Sequence, residues 1–414
     1  MSRPKVILLT NRFPYGIVET FIEAEMRAVP NGIDLEIFPT QRHNKNDTAR
    51  SIPDGIIVNN GITDAKSFDK ICSAIKAIFD SCLWKELRER RKSKYEKRSL
   101  KLLFGFFARA HLIARMVEKS YGKLLLEKQA VLYSYWFLEQ AYAAARLSKK
   151  YSCKSYTRAH GTDLWDGNCV YGKVPGRQKA LGFLDGVFVC SKRGAEYLKE
   201  KFPEYRDKIS YSYLGTEDYS ENKEKEDEVF TVLSCSRTTP VKRVLRIADA
   251  LSMIDEIPIR WIHIGDGPEQ EKVKEHVKKL PSNITAEFLG NVSHDEVMKY
   301  FCSHHVDLFI NVSSTEGLPV SIMEAVSFGI PIVATNVGGT GEIVNDNTGS
   351  LIDKDFEDGE LCSVIKSYAG MKPEEYSQKR RDVRKYWQEH FSAESNYMKF
   401  YMDITGTLPE NANK

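Results

Sequence analysis

The clearest rhythm along the chain lies in its second half. Short apolar runs at 229–234, 260–265, 306–311 and 331–335 alternate with helical patterns at 241–251, 268–280, 295–303 and 319–328. A further run, Gly349–Ile352, follows. Brief strands separated by helices of about a dozen residues predict parallel βαβ units in a doubly wound sheet. The first half has a looser version, with strands expected near 5–10, 35–38, 130–133, 155–159 and 186–190 and a mostly helical insertion over 67–128. Residues 374–405 predict helix, with Trp387, Phe391, Tyr397 and Phe400 spaced as an apolar stripe. The expected class is therefore α/β, with doubly wound parallel sheets.

Length agrees with that division, since 414 residues suit two cores of about 200 residues each. The polar, charged stretch 215–227 has linker composition, and the domain boundary is placed there, giving 1–215, 216–385 and a terminal helical segment 386–414. The net charge of +3 hides an asymmetry. Residues 1–215 carry 38 Lys and Arg against 23 Asp and Glu, whereas the remainder carries 22 against 34. A basic first half points to an anionic partner for that half. The eight cysteines are scattered without a Cys-x-x-Cys pair and are expected to be buried reduced thiols. No leader-like segment opens the chain and no apolar run is long enough to span a bilayer, so the expected compartment is the cytoplasm.

Chemistry concentrates at the ends of predicted strands, where open α/β sheets bind ligands. After the strand at 306–311 comes a Gly/Pro turn with Glu316, Gly317, Leu318, Pro319 and Val320, then a helix bearing Glu324. Free amides at such a turn can hold a phosphate, and carboxylates beside them suit sugar and ribose hydroxyls. Equally, Glu316 and Glu324 could be a helix cap and a surface carboxylate. Arg237 and Lys242 bracket the turn after the strand at 229–234, where cations stabilise a departing diphosphate. Gly265 and Gly267 form a turn whose spacing is wrong for a dinucleotide fingerprint. His160 ends the strand at 155–159, and Gly16 follows the first strand. Asp353 and Asp355 read as a solvated turn rather than metal ligands. Residues 84–101 hold nine basic residues against three acidic, followed by an aromatic run at 102–107, a composition suited to peripheral attachment at an anionic membrane. No base-reading module accompanies the charge, so nucleic acid is not expected as a partner.

These pieces together resemble glycosyltransferase family 4, of the two-domain GT-B architecture. The resemblance is carried by Glu316-Gly-Leu-Pro with Glu324, Gly329, Pro331 and Thr335, by Val337-Gly-Gly with Glu342, by Arg237 and Lys242, and by Phe288-Leu-Gly. Phe13-Pro14, Glu19 and the stretch from Arg158 through His160 to Asp163 are similar to the branch that builds exopolysaccharides and lipopolysaccharides. The resemblance implies two Rossmann-like doubly wound domains facing a central cleft, a C-terminal helix that crosses back to the first, and retaining transfer of a hexose from a nucleotide-diphosphate sugar. No metal or other cofactor is expected, and the acceptor is a polysaccharide or a lipid-linked oligosaccharide. It implies that Glu316 and His160 act at the transferred sugar and that Glu324 contacts the ribose. Arg237 and Lys242 would neutralise the diphosphate, with Gly16 leaving room nearby. Gly265, Gly290, Asn291 and Val292 would receive the base. The hinge-like Tyr213-Leu-Gly-Thr-Glu departs from the Asn-Gly-Val-Asp type of many relatives. A nucleotide-sugar epimerase or phosphorylase on the same architecture, and a nucleotide-sugar-binding protein without turnover, stay open.

Overall fold

The computed structural model describes residues 3–16, 19–42, 47–90 and 99–407. The chain divides into two compact units, Met1–Tyr213 with Glu394–Lys414, and Leu214–Ala393.

In the first unit the strands are β1 (Lys5–Thr10), β2 (Asp34–Pro39), β3 (Ile57–Val58), β4 (Ala130–Ser134), β5 (Ser155–Ala159), β6 (Gly186–Val189) and β7 (Ile209–Tyr211). They form one parallel sheet in the order β3-β2-β1-β4-β5-β6-β7. Its helices are α1 (Ile22–Arg27), α2 (Ser67–Ile78), α3 (Ser81–Arg90), α4 (Ser99–Leu126), α5 (Glu139–Tyr151), α6 (Arg177–Phe183) and α7 (Lys192–Lys201). Val6, Ile7, Leu8 and Leu9 are all fully buried, as both faces of a central parallel strand must be. The strands β3 and β7, of two and three residues, are too short to leave a period in the sequence.

The helical insertion is built as expected over its described part, but the aromatic run has a different role. Leu103, Phe106, Phe107 and Ala110 of α4 are wholly buried in the first unit's core with Ile7, Leu132 and Tyr142. Within the run at 102–107, Leu103, Phe106 and Phe107 are therefore core packing, whereas Leu102 is exposed. Residues 91–98, the heart of the basic cluster, lie outside the described residues.

The second unit holds β8 (Phe230–Cys235), β9 (Ile259–Ile264), β10 (Ile284–Gly290), β11 (Leu308–Asn311), β12 (Ile332–Thr335) and β13 (Gly349–Ile352) in the order β10-β9-β8-β11-β12-β13. Its helices are α8 (Leu245–Leu251), α9 (Gln270–Val277), α10 (His294–Ser303), α11 (Val320–Ser327), α12 (Thr340–Ile343), α13 (Asp358–Ala369) and α14 (Pro373–His390). The strand order reverses between β8 and β11, so the crevice at the carboxyl ends of those two strands is the binding position of such a sheet. Helix α8 starts four residues later than the apolar pattern suggests, because Arg243 adopts φ 52°, a left-handed conformation that no helix can contain.

Helix α14 ends in the second unit, where the Trp387 indole donates to Thr216 Oγ1 at 2.8 Å. Residues 386–393 thus stay with the second unit, and only α15 (Ala393–Thr405) passes to the first. There Tyr397, Phe400 and Tyr401 are fully buried. All eight cysteines are free; Cys82, Cys153, Cys190 and Cys362 are buried as expected, while Cys302 is exposed.

Candidate functional site

The loops after β8 and β11 bring Lys242 and Glu316 together. Lys242 Nζ lies 2.5 Å from Glu316 Oε1, and Asn311 Nδ2, at the end of β11, donates to the same oxygen at 3.3 Å. Two further contacts lock these loops. Ser314 N donates to Val241 O at 2.8 Å, and Arg243 Nε donates to Val312 O at 2.7 Å. Arg243 also reaches Lys354 O at 2.8 Å, joining the loops after β8, β11 and β13. Its charge alone could not separate this stapling role from that of its neighbour Lys242, and sequence reasoning missed it.

The turn at 316–320 is also buttressed from β12. Gly339 N donates to Gly317 O at 2.7 Å, and a Cβ on Gly338 would stand 1.9 Å from Glu316 O. Only glycine, at φ 55°, lets the two loops approach this closely. The amides of Gly317, Leu318, Val320 and Ser321 make no hydrogen bond within the protein among the described residues. Pro319 ends the turn in an extended conformation just before α11. The first amides of a helix carry partial positive charge, and here they are unspent beside a lysine. Arg237 is exposed at the same edge, with no side-chain partner among the described residues.

Glu324 is buried on α11, and its Oε1 meets His294 Nε2 at 2.8 Å. His294 opens α10 directly after the capping Ser293 and was not recognised in the sequence. Gly265, at the end of β9, bonds to Gly290, at the end of β10 (N–H to O, 2.8 Å). A Cβ on Gly265 would stand 1.9 Å from Ser236 O, so β9 and the Arg237 loop are packed backbone to backbone. Asn291 is exposed and Val292 half-buried in the turn leading to α10. Asp353 and Asp355 sit in an exposed turn closed by Asp355 N on Asp353 Oδ1, 2.8 Å.

Beneath the Arg237 loop, His263 is fully buried between Ser234 Oγ at 2.9 Å and Thr238 Oγ1 at 3.3 Å. Burial pushes its pKa down to about 4, so the ring is neutral in the folded chain. Unfolded, the same ring binds a proton near pH 6.5. Its contribution to stability is thus complete above that value and lost as pH falls toward 4, about 3 kcal/mol in all. Urea unfolding across this window is expected to show His263→Gln losing less stability than the parent chain. An equal loss in both would assign the acid sensitivity elsewhere.

In the first unit, Gly16 follows β1, Trp136 follows β4 and His160 follows β5, at the carboxyl ends of three neighbouring strands. His160 stacks on Tyr135 (4.8 Å, 15°) and lies 4.9 Å from Trp136. Neither ring nitrogen has a hydrogen-bond partner among the described residues, although Nδ1 is 3.6 Å from Asp163 Oδ2. Burial raises the Asp163 pKa, but the nearby His160 and the amides of Phe137 and His160 outweigh it and hold the carboxyl below its usual range. Glu19 organises the adjoining loop: it accepts the amides of Asn11, Arg12 and Phe13 and the Trp136 indole at 2.6 Å. Arg50 donates to Gly16 O at 2.8 Å and pairs with Glu23. The structure thus gathers Arg237, Lys242, Glu316, Glu324, Gly265 and Gly290 at one sheet edge, and Gly16 and His160 at another.

The strand order places the unbonded amides of the turn and the Lys242–Glu316 pair at one sheet edge. Residues 215–386, within the second unit, match the family described as glycosyl transferases group 1. The chain's fold is the two-Rossmann-domain α/β fold of the GT-B architecture. Over 142 residues the chain is 33% identical to the O-antigen biosynthesis glycosyltransferase WbnH of Escherichia coli, covering 32% of this chain and 39% of that one. It is 28% identical over 243 residues to an uncharacterised glycosyltransferase of Methanocaldococcus jannaschii, covering 56% of this chain and 63% of the relative. Across the curated relatives the matched region spans between 18% and 63% of their length. Among solved structures, Anabaena HepE in complex with UDP superposes with a TM-score of 0.63 at 16% identity, over 97% of this chain and 100% of that one. At that identity the likeness bears on fold alone.

Proposed function

We propose that this chain transfers a hexose from a nucleoside diphosphate sugar, with retention at the anomeric carbon, to a growing polysaccharide or lipid-linked oligosaccharide at the cytoplasmic side of a membrane. The observation that carries the reading is the Lys242–Glu316 pair at the β8/β11 crevice, beside four amides with no protein acceptor. A diphosphate at this edge would meet Arg237, Lys242 and those amides, which together stabilise the charge that grows as it departs. Glu316, held by Lys242 and Asn311, contacts the sugar next to the reacting carbon. The Glu324 oxygen not used by His294 accepts from the ribose, and the end of β10 receives the base through main-chain groups. In the step itself, the bond from the anomeric carbon to the diphosphate oxygen breaks. The acceptor oxygen bonds to that carbon, and its proton leaves with the diphosphate. His160 is the first-unit residue to which we assign a part in the transfer. The O-antigen relative supports the acceptor class, and the UDP-bound structural neighbour supports a diphosphate donor.

Charge neutralisation by side chains and amides leaves no step that calls for a divalent ion. Turnover of the nucleotide-sugar donor, followed as nucleoside diphosphate release, is expected to persist after EDTA treatment. An absolute requirement for added magnesium or manganese would contradict this assignment.

A further inference from the structure

Helix α2 is amphipathic in an unusual sense. Asp69, Ser73 and Ala77 face the first unit's interior, whereas Phe68, Ile71, Ile75 and Ile78 form an exposed stripe on the opposite face. Phe79 and Trp84 extend it, and Phe68 and Phe79 are 66% and 82% exposed. Isolated surface apolar residues are ordinary, but a contiguous row of six marks a contact surface.

A cavity of about 410 Å³ lies among α2, α4, α5 and α6. Among the described residues six cations line it, Lys76, Arg115, Arg146, Lys149, Lys150 and Lys179, against the single carboxylate Glu118. Two more carboxylates offset part of this charge from the interior. Asp69 pairs with Arg115, and the fully buried Asp80 pairs with Lys179 and Arg146. Glu118 is taken by Lys150. Lys76 and Lys149 have no carboxylate at ion-pair distance among the described residues, which leaves the cavity cationic. Cavity and stripe are continuous: Lys76 belongs to α2, and the Arg115 guanidinium lies 5.5 Å above the Phe68 ring.

We propose that α2 lies in the interface of an anionic phospholipid bilayer, its stripe among the acyl chains and a lipid phosphate in the neighbouring cavity. An apolar helix face bordered by lysines and arginines has the composition that anionic bilayers hold. A second copy of this chain suits the face poorly, because a two-fold contact would set one cationic rim against another. The inference rests on the membrane location in the functional reading but not on sugar transfer, and its test uses no donor.

The test is co-sedimentation of the full chain with phosphatidylcholine vesicles, with and without phosphatidylglycerol, at low and high salt. Binding is expected only with the anionic lipid and should weaken as salt screens the charges. The triple variant Phe68→Ser, Ile75→Ser, Phe79→Ser replaces exposed side chains only, and its thermal melt should match the parent. Its vesicle partition is expected to fall about tenfold or more, from the apolar area lost. Lys76→Gln with Lys149→Gln should reduce binding several-fold. Equal recovery in the supernatant with both vesicle types overturns the proposal, as does parental binding by the serine variant. So would self-association in sedimentation velocity that the serine variant abolishes without any vesicle binding. That last result would assign the face to a second copy.

Discussion

Glu316→Gln is expected to lower turnover by about two to four orders of magnitude, roughly 3–5 kcal/mol of barrier, while donor affinity changes little. The substitution keeps the shape of the side chain and its ability to accept from Asn311 and Lys242. It removes only the charge that, in the proposed mechanism, faces the developing positive sugar carbon. An interaction that strengthens in the transition state appears in kcat rather than in binding. Donor release of nucleoside diphosphate at saturating acceptor measures it directly. Near-parental turnover would remove Glu316 from the reaction centre.

Arg158→Met is expected to destabilise the first unit by about 3–5 kcal/mol, the cost of leaving a buried charge without its partner. Arg158 is completely buried at the end of β5, 3.8 Å from the equally buried Glu25. Its guanidinium donates to Tyr133 Oη at 2.9 Å and to Ser212 O at 3.0 Å, and lies 4.0 Å above the Phe400 ring of α15. Burial pushes the Glu25 carboxyl up, while Arg158 and hydrogen bonds from Tyr133 and Tyr401 pull against it. Without Arg158 the carboxyl must take a proton or go unpaired. Adding Glu25→Gln to Arg158→Met is therefore expected to recover much of the loss in urea unfolding. A single-variant cost below about 1 kcal/mol would show that α15 is held by its apolar contacts alone.

The parts of the molecule legible in the sequence are those whose physics is local. Strands β8, β9, β11 and β12 are apolar on both faces and bounded by turn residues, and each lies within two residues of its expected place. Strand β10 is an edge strand with alternating exposure, and its pattern is correspondingly faint. Side-chain partnerships were less visible. His294 reaches Glu324 across 30 residues, and nothing around His294 sets it apart from the other residues in the first turn of α10. Lys242 and Arg243 carry the same charge, and only the left-handed backbone at Arg243 turns one to the crevice and the other into the loops behind it. The first half teaches the converse lesson. Periodicity in α2 and α4 reveals apolar faces but not what covers them: that of α4 is core, while the stripe on α2 is bare.

The central claim is that a nucleoside diphosphate sugar is held at the carboxyl edge of β8 and β11. Thermal melting of the parent chain and of Lys242→Ala against a panel of uridine and guanosine diphosphate hexoses tests it most directly. A ligand that binds only the folded chain raises the melting temperature, by about 2.7 kcal/mol of stabilisation at a hundredfold excess over its dissociation constant. At least one donor is expected to raise the parent's melting temperature, with a clearly smaller rise for Lys242→Ala. No rise with any donor, or the same rise in both proteins, would contradict the account.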